Sequence, residues 1–321
     1  MGVKREYSDI EDLPRVGPST ATKLRNMGFH TVESVAMATV EELVEAGIPE
    51  KTARMIIDEA RKVIRVEFLQ ASELLKLREN IRKLTTGSRA LDELVGGGLE
   101  TSTITELFGE FGTGKSQICH QLCVNVQLSY EEGGLEGGAL YIDTENSFRP
   151  NRIVDMAKYR GLDPDKVLEN ILVAPAYNSD HQMLLLEKAD EIIKKNNIKL
   201  IIIDSVMSHF RSEYLGRELL ARRQQKLNKH LHRLERLATV FNAVAVVTNQ
   251  VMSRPNDFFS MGAYPVGGHI IAHRSHTRIF IRKAHGKPGL RIARLVVSLD
   301  RPEGECVFRI TNEGVIDEEE V

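Results

Sequence analysis

The sequence predicts an α/β fold: a mostly parallel sheet flanked by helices, extended at one edge by antiparallel strands and preceded by a small all-helical domain. Three observations carry that expectation. From residue 101 onward, β-rich runs at 103–108, 139–143, 171–174, 200–204 and 243–248 alternate with helix-length segments, the pattern of parallel strands joined by crossover helices. Three later runs at 277–283, 291–298 and 306–310 follow one another with no helix between them, so they are expected as antiparallel hairpins on one edge. Up to about residue 65 the chain reads instead as short helices broken by Val16-Gly17-Pro18-Ser19 and Ala46-Gly47-Ile48-Pro49.

Taken in order, residues 1–65 place apolar side chains at Leu13, Val16, Ala21, Leu24, Val32, Val35, Leu43 and Val44, a spacing that suits helices packed as a compact bundle. Residues 66–84 form a polar, helix-prone connector without Gly or Pro, and Thr86-Gly87-Ser88 opens the larger domain, expected over 85–321. A length of 321 residues allows about two domains at roughly 150 residues each. The composition, 42% hydrophobic, 27% charged and 6% aromatic, excludes the disordered, collagen-like and disulfide-rich classes. Apolar runs such as 201–203 and 243–247 fall far short of the ~20 residues of a membrane-spanning helix, so no membrane partner is expected. The first 25 residues carry charges throughout and lack an apolar signal core, from which a cytoplasmic location is expected. Cys119 and Cys123, one helical turn apart, and the distant Cys306 are read as core thiols, because no CxxC or second ligand pair accompanies them.

Net charge is only -2, from 43 basic and 45 acidic residues. Its distribution is uneven: 258–299 contains no Asp or Glu, while Arg274, Arg278, Arg282, Lys283, Lys287, Arg291 and Arg294 supply seven cations. Such segregation is expected to give a local positive field suited to a polyanion.

The chemistry begins at Gly109-Glu110-Phe111-Gly112-Thr113-Gly114-Lys115-Ser116, a complete GxxxxGK[ST] that follows the run 103–108 and opens a helical pattern at Ile118, Leu122 and Val126. Glycines let the backbone turn with its N–H groups inward, so the loop cradles phosphates at a helix N-terminus. Lys115 neutralises the outer phosphates and the Ser116 hydroxyl ligates magnesium. Leu200-Ile201-Ile202-Ile203-Asp204 is an apolar strand ending in a carboxylate, which puts Asp204 at the same sheet edge to hold the metal. Ala139-Leu140-Tyr141-Ile142-Asp143-Thr144-Glu145 ends a neighbouring strand with two acids. Glu145 is far enough past the strand to reach a γ-phosphate and activate water, and either acid equally suits a cap for the helix starting near Arg149-Pro150. Gln250 lies at that same edge, where spacing does not separate a ligand sensor from a surface amide.

The segments GEFGTGKSQICH, YIDTENSFRP, LIIIDS, RSEYLGRELLARRQ, TNQVMSRP and VGGHIIAH, in this order and at these spacings, resemble the RecA-type recombinases, specifically archaeal RadA-type proteins and their eukaryotic counterparts, over nearly the whole chain. The resemblance implies a RecA-like P-loop ATPase core behind a helix-hairpin-helix domain. It implies an ATP-dependent enzyme, with ATP and Mg2+ as cofactors, that forms filaments on single-stranded DNA and catalyses homologous pairing and strand exchange with double-stranded DNA in recombinational repair. Nucleotide binding would fall to Gly109, Glu110, Phe111, Gly112, Thr113, Gly114, Lys115, Ser116 and Gln117, with Arg152 against the adenine and His269 reaching ATP across a subunit interface. Ser116 and Asp204 would hold the metal. Catalysis would rest on Lys115, on Glu145 as the water-activating acid, and on Gln250 as the sensor linking the γ-phosphate to a second DNA-binding loop at about 252–265.

Arg211, Arg217 and Arg223 recur every six residues around Tyr214-Leu215-Gly216, within a stretch holding eight Lys or Arg against three acids over 209–236. Such arginines suit a phosphate backbone. Arg217 and Arg223 match the family's first DNA loop, whereas Arg233 and Arg236 are expected on a solvated helix face. In the second loop Phe258, Phe259 and Tyr264 are available either to bases or as anchors of the loop itself. Phe68-Leu69-Gln70-Ala71 resembles the F-x-x-A form by which these recombinases enter the next subunit, implying self-association through Phe68 and Ala71 into a helical filament or ring. Val16-Gly17-Pro18-Ser19 resembles a DNA-holding hairpin served by Lys23 and Arg25, with Ala46-Gly47-Ile48-Pro49 as a second copy. Recombination mediators and a nucleoid-associated place in an archaeal cytoplasm are further implications.

Three positions depart from the family pattern. Glu218 stands where glycine is usual, adding rigidity and negative charge beside Arg217. Val297 replaces an aspartate that in relatives caps ATP from the adjacent subunit, so a monovalent-ion site does not carry over. Asn151 replaces a common glutamate, with little expected effect. Two other readings share the phosphate loop: a regulatory RecA-type paralogue with weak strand exchange, and a RecA-fold hexameric helicase. The helical domain, Phe68 with Ala71 and the full arginine set favour the active recombinase.

Overall fold

Local capping chemistry sets the helices of the N-terminal unit. Helix α1, Pro18–Asn26, starts on a proline whose missing N–H falls where a helix has no internal acceptor. In α2, Val32–Ala36, and α3, Val40–Glu45, Thr31 and Thr39 cap the first turn while Ser34 and Glu42 return the bond. Helix α4, Glu50–Arg61, follows Pro49. Leu13, Val16, Ala21, Leu24, Phe29, Val32, Val35, Leu43, Ile56 and Ile57 make the core of this unit. Val44 does not join them and is 43% exposed. It follows the fully buried Leu43 by one residue, about 100° around α3, which here turns it to the exposed side of the helix.

The computed structural model describes residues 7–62, 70–78, 80–252, 264–265 and 269–318, without the side chains of Leu77, Met252, Tyr264, Pro265 and His269. The chain divides into two units, Met1–Asn80 with Leu184–Lys195, and Ile81–Met183 with Asn196–Val321. Within the former connector, α5 spans Ala71–Arg78, and β1, Lys83–Leu84, pairs antiparallel with β2, Leu99–Glu100, around α6, Arg89–Leu94. There follow β3 Ile104–Gly109, α7 Lys115–Asn125, β4 Gly138–Asp143, α8 Pro150–Tyr159, α9 Pro164–Glu169, β5 Ile171–Pro175, α10 Ser179–Glu187, α11 Ala189–Lys195, β6 Ile198–Asp204, α12 Ser208–Glu213, α13 Leu220–Val240, β7 Val244–Met252, β8 Tyr264–Pro265, α14 His269–Arg274, β9 Thr277–Lys283, β10 Leu290–Val297, β11 Gly304–Ile310 and β12 Val315–Asp317.

Among the described residues the main sheet runs β12-β11-β10-β9-β3-β7-β6-β4-β5, with β8 against β7. It is parallel from β9 through β5 and antiparallel from β9 to β12, the α/β architecture expected. Strands β3 and β4 are buried at every position and β6 at all but one, which is why they read as nearly continuous apolar runs. Leu107, Tyr141, Ile202, Val246 and Ile279 form one core with Ile118, Cys119, Leu122 and Cys123 of α7. All three cysteines are unpaired thiols, Cys306 being half-buried. No helix among the described residues is long and apolar enough to cross a membrane.

Helix α13 corrects one expectation. Arg233 and Arg236 are only 6% and 5% exposed, not on a solvated face. The helix packs against β7, β3 and α14, which encloses these side chains, guanidinium groups included, within the fold. The helical unit supplies a direct check on side-chain placement. Leu24→Ala should cost about 2–5 kcal/mol and Val44→Ala no more than about 0.5 kcal/mol, read by hydrogen exchange of that unit in the full chain.

Candidate functional site

Strand register gathers the site. Gly109 lies beside Gln250, Asp143 beside Asp204, and Ile203 beside Val247, so the last residues of four strands share one carboxyl edge, where open parallel sheets bind ligands. At that edge the loop after β3 turns through Gly112 (φ 72°) and Gly114 (φ 104°). A Cβ on Gly114 would come within 2.1 Å of Ile310 Cδ1, and one on Gly109 within 2.2 Å of the Ile281 carbonyl oxygen, so neither position admits a side chain. Lys115 opens α7 with its ammonium donating to the carbonyls of Gly109 (3.0 Å) and Glu110 (2.8 Å). Burial lowers its pKa, opposed by the charges of Asp204 and Glu145. The Thr113 hydroxyl donates to the Glu110 carbonyl, 2.9 Å. Phe111, Gly112, Gly114, Lys115, Ser116 and Gln117 line a cavity of about 440 Å³ together with Glu145, Asp204, Gln250 and Arg291. Gly109, Glu110 and Thr113 shape the loop from behind.

Across the cavity, Asp204 is 4% exposed. Its Oδ2 accepts from the Tyr141 hydroxyl (2.6 Å) and the Ser147 hydroxyl (2.8 Å), and its Oδ1 from Thr248. Burial and then the neighbouring Asp204 charge raise the Tyr141 pKa well above the ordinary phenol value, which keeps it a donor. The two acids after β4 separate cleanly. Asp143 accepts the backbone N–H groups of Glu145 (3.2 Å), Ser147 (3.0 Å) and Phe148 (3.0 Å), so it organises the turn. Glu145 is exposed and points into the cavity, where its Oε1 accepts from the Ser205 hydroxyl (2.6 Å) and the Gln250 amide (3.4 Å). Beneath the turn, His120 accepts the Arg149 N–H (3.2 Å) and stacks on Tyr141 at 5.8 Å. Burial brings its pKa down to about 4, so it is a neutral acceptor.

At the flank, Arg152 donates from Nε to Gln117 Oε1 (2.7 Å) and from its other nitrogens to the carbonyls of Thr311 and Asn312. His269 opens α14, with its side chain outside the description. Arg211 lines a second cavity of about 340 Å³ that shares Glu145, Ser205 and Gln250 with the first. Arg217 is exposed and Arg223 half-buried. The Glu218 carboxylate lies over Gly216, and among the described residues it makes no ion pair with Arg217. Ala71 is exposed, whereas Phe68 and most of the second loop lie outside the described residues. In the helical unit, Lys23 donates to the Gly47 carbonyl (2.8 Å), tying the two hairpins together. Arg25 is held by Glu11 (2.7 Å) and Asp9 (3.1 Å), acids that cancel the charge offered to phosphate.

The arrangement can hold a polyphosphate against the loop. Ser116 and Asp204 both line this cavity and fit a magnesium ion, which takes one or two protein oxygens and completes its shell with water and phosphate. No group of three or more His, Cys, Asp or Glu side chains among the described residues is placed to hold a metal. Sequence reasoning missed Tyr141 and Thr248, hydroxyls within β4 and β7, and Ser147 and Ser205, which follow β4 and β6. An apolar strand ending in Asp needs such donors if its carboxylate is buried, and that requirement was the available signal.

The Rad51 family profile matches residues 77–318, and a SAM-like helix-hairpin-helix tandem matches residues 7–62. The chain is 54% identical over 317 residues to the DNA repair and recombination protein RadA of Aeropyrum pernix, covering 98% of this chain and 99% of that protein. It is 53% identical over 322 residues to the protein of the same name from Ignicoccus hospitalis, covering 99% and 98%. With a profile match over most of its length and these two relatives matched end to end, the chain belongs to the Rad51 family.

Proposed function

We propose that this chain is a DNA-dependent ATPase of recombinational repair that binds ATP with Mg2+, assembles on single-stranded DNA, and pairs and exchanges homologous strands. The observation that carries the proposal is the meeting, on one cavity, of the phosphate loop, the buried Asp204 and the Glu145–Gln250 pair. Near-complete coverage at 53–54% identity by proteins named for DNA repair and recombination favours this over a regulatory paralogue or a helicase.

The residues divide the work as follows. A triphosphate draws Lys115 off the two loop carbonyls and takes the loop's N–H groups. Magnesium held by Ser116 and Asp204 supplies charge neutralisation at the phosphate oxygens. Ser205 and Gln250 both donate to Glu145 Oε1, which leaves Oε2 to accept a proton from water. Because Gln250 and Glu145 also border the cavity lined by Arg211, a change at the phosphate end is felt beside the first arginine loop. Arg211, Arg217 and Arg223 contact the strand backbone there. For assembly, β5 ends the sheet with its outer edge unpaired among the described residues and Val173 39% exposed. Such an edge suits an added segment from another copy, with Phe68 and Ala71 as its anchors.

A strand-exchange assay with and without ATP tests the whole reading. Lys115→Ala should lose both ATP turnover, by about 100-fold or more, and exchange, and an intact turnover would refute the site. Arg217→Ala with Arg223→Ala should lower the salt slope of single-strand binding by roughly 0.7 per lost phosphate contact; a slope equal to that of the parent chain would exclude these arginines. Phe68→Ala should leave a folded ATP-binding protein that no longer forms filaments in electron micrographs, an expectation that normal filaments would overturn.

A further inference from the structure

Seven cations populate the segment 274–294, and five have a carboxylate at ion-pair distance. Arg274 meets Glu235 (3.0 Å), Arg278 meets Glu106 (2.6 Å), Arg282 meets Glu305 (3.5 Å), Lys287 meets Glu318 (3.1 Å) and Arg294 meets Glu303 (2.9 Å). The remaining two, Lys283 and Arg291, have none among the described residues. These two face each other across β9 and β10 as register partners. Like charges directly opposite destabilise a sheet, and here no acid offsets them.

Both side chains reach the phosphate loop. Arg291 lines the 440 Å³ cavity, donating from Nε to the Thr113 carbonyl (2.8 Å) and from Nη1 to the Leu290 carbonyl (2.9 Å). Its Nη2 keeps no protein acceptor among the described residues. The Lys283 ammonium lies 3.4 Å from the point a Cβ on Gly112 would occupy. Burial lowers the Arg291 pKa with no anion opposing it, the condition of a cation desolvated before its counter-charge arrives. A brace for the loop would need only the Thr113 bond and would not call for a second cation opposite.

We propose that Arg291, supported by Lys283, is a second phosphate-binding cation of the nucleotide cavity, supplied by the antiparallel hairpin rather than by the loop, and selective for the more highly charged nucleoside polyphosphates. This rests on the nucleotide reading of the cavity. Its partner chemistry is a bidentate or fork-like contact of the guanidinium with phosphate oxygens, for which arginine is suited.

The test is direct binding of fluorescent adenosine mono-, di- and triphosphate to the full chain with magnesium present. Arg291→Met keeps the apolar stem; it should weaken triphosphate binding about tenfold or more and monophosphate binding less than about threefold. Arg291→Lys, which keeps the charge but not the fork, should recover only part of the loss. Lys283→Met, at an exposed position, should weaken triphosphate binding about threefold, and it reports even where Arg291→Met does not fold. Equal weakening for all three nucleotides would reduce Arg291 to a brace, and unchanged triphosphate binding in either Met variant would remove it or Lys283 from the clamp. Lys115→Ala, measured alongside, separates the levels. If it too leaves triphosphate binding intact, the nucleotide site is misassigned; if it alone weakens binding, only the hairpin clamp falls.

Discussion

The architecture of the cavity depends on one buried anion. Asp204 is almost entirely out of solvent, and an ionised carboxylate in that position is tolerable only when its oxygens are met by donors. The three donors come from β4, from the turn after it, and from β7, so one side chain on β6 holds the ends of three adjacent strands in fixed relation. The same knot fixes Ser147, hence the turn that presents Glu145, and Thr248, hence the strand end that presents Gln250. A reciprocal pair between Thr144 and the Ser205 backbone, with bonds of 2.8 and 2.7 Å, closes it from beside. Position and charge are therefore settled together: the group suited to a cation is also the group that aligns the acid and the amide around it.

Most of the fold was legible because its determinants are local or periodic. The parallel strands announce themselves as apolar runs, the antiparallel edge as strands without intervening helices, and the helical unit as short apolar-spaced stretches separated by Gly-Pro breaks. The phosphate loop and Asp204 were legible for the same reason, since each is a short contiguous motif whose strand context fixes its place. What escaped depends on how a turn is folded and which way a helix face is packed, neither of which residue spacing gives. Whether Asp143 or Glu145 faces the cavity turns on three backbone N–H groups that converge on Asp143. Helical wheel position, not hydrophobicity, decides that Val44 is exposed, and the packing of α13 among β7, β3 and α14 decides that Arg233 and Arg236 are not.

Charge shows what proximity along the chain leaves open. An acid-free stretch of some forty residues is expected to give a local positive field, without saying where it centres. In space, acids from β3, α13, β11 and the C-terminal end reach most of those cations one by one. The pair between Arg278 and Glu106 is the deepest, and Asn249 also donates to that carboxylate at 2.8 Å, so the strand before the phosphate loop is joined to the strand before Gln250 from the face opposite the cavity. The exposed pairs contribute little to stability, yet they redraw the field. Among the described residues of that stretch, the Lys and Arg side chains left without a carboxylate, Lys283 and Arg291, lie at the loop.

The hydrogen bonds that Lys115 makes to its own loop carry a consequence for selectivity. With its ammonium seated on two carbonyls, the loop is not a vacant socket but a closed circuit of donors and acceptors. An arriving anion must break that circuit, and it gains only the difference between old and new partners. A lone chloride offers one acceptor centre and little surplus. Only a species presenting several oxygens at once re-forms more bonds than it disrupts, so discrimination by valence precedes any recognition of shape.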